Sequence, residues 1–304
     1  MRKPTGLDVL TLIVIAAIWG SAFFAIKIGV EGGLAPLTLA ATRITVAALA
    51  LLVYAFFRGH ALPRNGREWH GIFWVGVLSL ALPFFLISWA EQEISSGLAA
   101  ILMAMGPLYA LVLAHFLTEN DRFTGTKLLA VALGFAGVLV VIGIDPFREL
   151  GLELWAQLAV IAASLCYVSS GVIVARLKNV SPTVITTGAA TISAGLMIPL
   201  SLIIDRPWTL APSADALYAA LYLGLFPTAL AFLMRFHMIA AVGVSFFALV
   251  GYIIPVFGVL WGALFLSEVV PMESLLGLGL ILIGIKVGQH GQRGPKDIAK
   301  DIQP

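Results

Sequence analysis

The chain has 304 residues, 60% of them hydrophobic and 11% charged, with a formal net charge of +2. Soluble domains carry roughly 25% charged residues, so these charges are too few for an aqueous surface and the expected solvent is lipid. The near-neutral balance, with no Lys/Arg run interleaved with aromatics, argues against a nucleic-acid partner.

The single cysteine, Cys166, can form no intrachain disulfide and lacks companions for a metal site. Intramembrane hydrolysis would need a histidine pair with a carboxylate or an activated serine, and neither H-E-x-x-H nor G-x-S-x-G occurs. No Walker motif is present either. No cofactor, no metal and no ATP are therefore expected, and an intramembrane enzyme is the weaker class.

A span needs about 20 mainly apolar residues. Ten stretches qualify, at about 7–29, 36–57, 69–90, 95–118, 125–144, 153–175, 183–204, 214–236, 242–267 and 273–289. The first follows Arg2 and Lys3 but is too long for a signal-peptide core. Within it Trp19, Phe23 and Lys27 recur every four residues and share one helical face. Two roles fit Lys27. It contacts an anionic substrate group beside an aromatic wall, or it snorkels to the headgroups or pairs with Glu31 or Glu91. The second span carries Arg43 about two turns in. A structural charge, paired with a helix end or a carboxylate, is the favoured reading.

The third span contains Pro83, which bends a helix as a hinge or as a static kink, followed by Phe84. Ser88 and Gln92 lie four apart, on one face, and offer hydrogen bonds to a substrate. The fourth, Ser95 to Glu119, is apolar, interrupted by Gly106-Pro107 and closed by an acid. Met103 and Tyr109 are pocket candidates here, and His115 is a weak candidate for proton handling. Tyr167 in the sixth span stands 148 residues after Trp19. The eighth repeats the proline device at Pro227, with Phe232 as a further aromatic. The ninth carries Ser245 and Tyr252, with Pro255 as its break and Glu268 at its exit. Gly277, Gly284 and Gly288 in the tenth, with Gly134 and Gly137 in the fifth, allow close helix approach. Whether the neighbour belongs to the same chain is left open by the sequence.

Lys and Arg set orientation. With the N-terminus inside, 14 of the 18 fall on the cytoplasmic side, Arg235 counted among them; Lys27, Arg148 and Arg206 fall outside and Arg43 within a helix. Pro107 and Pro255 are 148 apart, Gly137 and Gly284 147, Glu119 and Glu268 149. Such offsets point to an internal repeat. Five spans per copy make the second copy inverted, an architecture of secondary transporters whose sites lie at paired helix breaks. The expected fold is therefore an all-α polytopic membrane protein of ten transmembrane helices in two inverted five-helix repeats. Its divisions are a cytoplasmic N-terminus at 1–6, repeats at 7–144 and 153–288 with a connecting loop at 145–152, and a cytoplasmic tail at 289–304.

The stretches Ile18-Trp19-Gly20-Ser21-Ala22-Phe23 through Lys27, Ala41-Thr42-Arg43, Leu82 to Ala90, Gly106-Pro107 with Glu119, and Ile254-Pro255 with Leu266-Ser267-Glu268 carry a resemblance. On them, over about residues 7 to 288, the chain resembles the EamA type of the drug/metabolite transporter superfamily, with a weaker likeness to its aromatic amino-acid exporters. The resemblance implies a multi-pass protein of the bacterial inner (plasma) membrane that exports small metabolites. It also implies a central cavity built by helices 1, 3, 4, 6, 8 and 9, with 2, 5, 7 and 10 in support and Arg43 structural. The expected mechanism is alternating access, with Pro83, Pro107, Pro227, Pro255, Glu119 and Glu268 as hinge or gating positions. Expected partners are a small-molecule substrate and membrane lipid, with a monomer as the assembly. A cationic multidrug exporter of the same fold and a passive channel are the alternatives.

Overall fold

The computed structural model describes residues 2–59, 63, 65–117, 124–142, 151–177, 179–247 and 249–290, of which 113–117, 236, 240, 244, 245, 289 and 290 are described by backbone alone. These residues form ten helical spans: α1 Gly6–Glu31, α2 Pro36–Phe57, α3 Gly66–Ala90, α4 in two pieces (Ser96–Met103 and Gly106–Leu117), α5 Gly125–Ile142, α6 Leu152–Arg176, α7 Pro182–Ile204, α8 in three joined segments (Ala214–Leu223, Gly224–Leu230 and Ala231–Val242), α9 in two pieces (Val244–Phe247 and Val250–Leu266), and α10 Met272–His290. No strand occurs among the described residues. Large apolar side chains such as Leu49, Val53, Leu139, Trp155, Ile203 and Leu264 face outward. An aqueous protein would bury many of these; on a membrane-spanning bundle they face lipid.

Local chemistry sets the helix starts. Asn65 Oδ1 accepts from the amides of Arg67 and Glu68 to open α3, and the hydroxyls of Ser95, Ser181 and Ser213 cap α4, α7 and α8 in the same way. Pro36 and Pro182 occupy first helical positions, where a missing N–H costs nothing.

The helices pair in a pattern that survives exchange of the two halves. α1 packs on α9 and α6 on α4; α3 packs on α6 and α8 on α1; α2 pairs with α7 and α5 with α10. Each contact maps onto its partner when α1–α5 and α6–α10 are swapped. The α5–α10 seam answers the question that the glycines raised. A Cβ on Gly137 would lie 2.7 Å from the Gly277 carbonyl, and one on Gly284 would lie 2.7 Å from the Ala130 carbonyl, so the close neighbour is within the chain.

Three prolines mark helix irregularities and a fourth, Pro255, does not; each strands one carbonyl four residues back. In α3 a π-helical turn, Val77–Ala81, precedes Pro83. In α8 a longer one, Gly224–Leu230, contains Pro227, and the Leu223 carbonyl that Pro227 strands accepts from Thr228 Oγ1 at 2.8 Å. In α4 the pieces Ser96–Met103 and Gly106–Leu117 are separated by a turn at Ala104 and Met105, and Pro107 opens the second piece. In α9 the outcome differs from the sequence expectation. The helix Val250–Leu266 runs unbroken through Pro255, and the interruption lies at Leu249, after the short piece Val244–Phe247. A proline costs a helix only one bond and a steric adjustment, which packed transmembrane helices absorb. The chain is redirected instead at Gly243, whose φ of +95° suits glycine.

Candidate functional site

The breaks of both halves meet around one central cavity of about 280 Å³. This lies near the lower end of small-molecule pockets, roughly 300–1,000 Å³. Trp19, Phe23, Phe84, Met103, Tyr167 and Phe232 line it, together with Pro107, Pro227 and Pro255. Seven spans contribute. Six are those expected from the resemblance; the seventh is α2, through Arg43, which corrects the view of α2 as support alone.

The aromatic wall is fixed by hydrogen bonds to irregular backbone. Trp19 Nε1 donates to the Pro227 carbonyl at 2.9 Å, and the indole meets Phe232 and Phe247 edge-on, with centroids 6.0 and 5.8 Å away. Ser164, also in the lining, donates to the Met103 carbonyl that Pro107 strands, at 3.4 Å. Thus the polar groups exposed by one half's breaks are met partly by side chains of the other half.

Two guanidiniums face this space. Arg43 is 6% exposed; its Nε donates to Thr228 Oγ1 at 2.9 Å and its Cζ sits 3.6 Å from the Phe84 ring centroid. The fixed pairing is therefore with a hydroxyl and an aromatic face, not with a helix end or a carboxylate. Arg235 Cζ lies 6.0 Å from the Phe232 centroid and 5.8 Å from that of Phe247, and its buried Nε has no hydrogen-bond partner. A span ending at 236 puts Arg235 at the cytoplasmic surface, and the structure differs. The helix continues as Ala231–Val242, which carries Arg235 two turns inside. The apolar run Met238 to Val242 is the sequence signal that marks this longer helix.

Other candidates lie elsewhere. Lys27 is outside the cavity lining: its Nζ donates to the backbone carbonyls of Glu91 at 2.8 Å and Ile94 at 3.1 Å and pairs with Glu31 at 3.3 Å. Of its two roles, the geometry is that of a structural cation. Ser88 and Pro83 are buried in helix packing, Tyr109 is buried in the core, Gln92 is exposed beyond α3, and Tyr252 packs at the core edge with an unpartnered hydroxyl. Glu119 and the side chains of Ser245 and His115 lie outside the described residues.

The end of the bundle that holds Lys27 is tied shut across the halves. Ser267 adopts a left-handed φ of 53°, and Glu268 turns back so that its carboxylate accepts from the Ser96 amide at 2.8 Å, Ser96 Oγ at 3.0 Å and the Gly97 amide at 3.0 Å. An acid at a helix N-terminus is favoured by the free amides and the helix dipole. Asp205, at the exit of α7, takes the amide of Thr38 at 2.7 Å and its hydroxyl at 2.9 Å. Below these caps, α4 and α9 touch closely: a Cβ on Gly258 would lie 2.3 Å from Ala100 Cβ. Glu91, just beyond α3, is fully buried, and neither carboxylate oxygen has a hydrogen-bond partner. Burial pushes its pKa well above the usual carboxylate range, with Lys27 opposing the shift in part.

Comparisons with known proteins agree with this architecture. The sequence matches the EamA-like transporter family over residues 7–143 and again over 154–287. It is 28% identical over 277 residues to the uncharacterized inner membrane transporter YedA of Escherichia coli K12, covering 90% of this chain and 88% of YedA. It is also 28% identical over 276 residues to a probable terminal-alkyne amino-acid exporter of Streptantibioticus cattleyicolor, covering 90% of each. The uncharacterized transporter YdfC of Bacillus subtilis is 27% identical over 286 residues, 93% of this chain and 91% of that one. A solved crystal structure superposes with a TM-score of 0.67 over 95% of this chain and 99% of its own, at 18% identity, a likeness of fold alone. Two successive family matches, five helices each and meeting at one cavity, make this multi-pass membrane protein a member of the EamA-like transporter family.

Proposed function

We propose that the protein is a secondary transporter that exports small amphipathic metabolites, amino acids or related compounds, across the inner membrane by alternating access. The observation that carries the reading is the central cavity at which the break of α4 at Met103–Pro107 in one half meets the π turn of α8 at Pro227 in the other. The likeness to YedA, an uncharacterized inner membrane transporter, and to the probable terminal-alkyne amino-acid exporter of Streptantibioticus supports transport at an inner membrane and an amphipathic cargo. In this reading both termini are cytoplasmic and the Lys27 end faces outward. That end is the closed gate, with Glu268 and Lys27 as its ties and the π turns before Pro83 and around Pro227 as the bending points. The working unit is a monomer surrounded by lipid, and it uses neither ATP nor nucleic acid. The multidrug alternative draws no support from the cavity, whose lining holds two arginines and no acid.

The test is counterflow in proteoliposomes. Preloaded unlabelled substrate should accelerate uptake of labelled substrate, and the rate should saturate. Flux that rises linearly with concentration at channel rates, unaffected by preloading, would replace the carrier by a channel.

A further inference from the structure

From the charge around the cavity we infer that, within the amphipathic cargo proposed above, the substrate is a net organic anion, an apolar or aromatic body bearing one carboxylate, which narrows that proposal by setting aside its zwitterionic amino acids as well as cations. The inference rests on the transport reading in that it takes the central cavity as the substrate site.

Four observations converge on it. Arg43 and Arg235 both line the cavity, and among the described residues no aspartate or glutamate does. Arg235 and Phe232 also border a second, smaller cavity of about 50 Å³ lined by Ser79, Val174 and Thr186, among others, and it too lacks an acid. Neither guanidinium forms a salt bridge among the described residues. Among the described residues, Arg43 uses its Nε on Thr228 and the buried Nε of Arg235 has no hydrogen-bond partner. A buried cation of this kind is costly unless something pairs with it. The planar fork of arginine fits a carboxylate with two parallel hydrogen bonds. The remaining lining, Trp19, Phe23, Phe84, Met103, Tyr167 and Phe232, suits an apolar body.

The same inventory disfavours an ammonium group. Its partners in the lining would be the hydroxyls of Ser164 and Tyr167 and the carbonyls near the helix breaks, all neutral, opposite two fixed positive charges. An amino acid would gain from its carboxylate and lose from its amine. The same frame without the amine only gains.

Three probes with one phenylethyl frame separate the cases: 3-phenylpropionate, phenylalanine and phenethylamine. Equilibrium binding to the purified full-length protein should rank them in that order, with the anion at least about tenfold tighter than the zwitterion. Arg235→Gln should weaken 3-phenylpropionate by roughly tenfold or more, about 1.4 kcal/mol. It should leave phenethylamine unchanged, and Arg235→Lys should recover part of the loss. If phenylalanine or phenethylamine binds as tightly as the anion to the wild-type protein, the inference fails, and this comparison needs no variant to fold. Counterflow tells the two readings apart. Phenylalanine carried in preference to 3-phenylpropionate overturns the anion assignment and leaves the transporter. An anion that binds in the ranked order but is never exchanged across the membrane overturns the transporter and leaves the charge selectivity.

Discussion

Thr228 and Glu91 show how single side chains hold the irregular parts of this bundle. Thr228 does two tasks with one oxygen. It gives its proton to the carbonyl stranded by Pro227 and accepts from Arg43, so a proline's defect on α8 becomes the seat of a cavity charge carried by α2. Glu91 is the opposite case, a buried carboxylate without a hydrogen bond. Lys27 and Glu31 of α1, Arg43 of α2 and Glu268 beyond α9 are the charged groups that act on it. Its folded-state pKa is raised, so the folded protein holds this proton more tightly than the unfolded chain does. The contribution to stability is complete below the unfolded pKa of about 4.3 and is lost as pH rises through the folded value. Melting temperature in detergent should therefore fall as pH climbs from about 4 toward the raised folded pKa. Glu91→Gln should flatten that slope relative to the wild type. Parallel pH profiles for the two proteins would mean that the carboxylate finds a partner in solution. Neither role can be read locally. Thr228 lies 185 residues from Arg43, and Lys27 reaches Glu91 through that residue's backbone, which no side-chain pattern reveals.

At the level of helices, span positions were legible because lipid demands about 20 apolar residues and the connections carry the charge. The serine caps and first-turn prolines then sharpened their ends. What hydropathy could not place was the end of α8, where apolar residues continue beyond Arg235, nor the interruption of α9, which Pro255 seemed to own. The aromatic part of the site was legible through the repeat: Trp19 and Tyr167, 148 residues apart, both line the cavity. The cations were not legible: Lys27 lies outside the cavity lining and Arg235 within it, and the two differ in surroundings rather than in charge. The glycine seam gives a prediction at this scale. Gly137→Leu puts a side chain against the Gly277 carbonyl, where backbone cannot yield, and should destabilise by about 1–3 kcal/mol. Gly279→Ala, on the same α10 but with nothing within 4 Å of the new Cβ, should be neutral or stabilising by up to about 1 kcal/mol. Equal losses from both variants in a thermal melt would show that α5 and α10 do not depend on close contact.

For the molecule as a whole, the ties at the Lys27 end join elements of opposite halves: Glu268 beyond α9 to α4, and Asp205 beyond α7 to α2. The cavity sits between the same halves and is bordered by the break of α4, the π turn of α8 and the unbroken stretch of α9 at Gly251–Pro255. Under the proposed alternating-access reading, the arginines inside it would give the protein an electrical character. If one anion neutralises one guanidinium, the empty site crosses the membrane with one more positive charge than the loaded site. A full unit of charge across the membrane field is worth about 2.3 kcal/mol per 100 mV. An interior-negative voltage would thus draw the empty carrier back toward the cytoplasm more strongly than it restrains the loaded one. Net efflux of 3-phenylpropionate from proteoliposomes should then rise when a potassium diffusion potential makes the interior negative. Exchange, in which both crossings are loaded, should respond far less. Two arginines without a salt bridge among the described residues, set in a greasy cavity, would in that way let the membrane potential drive export.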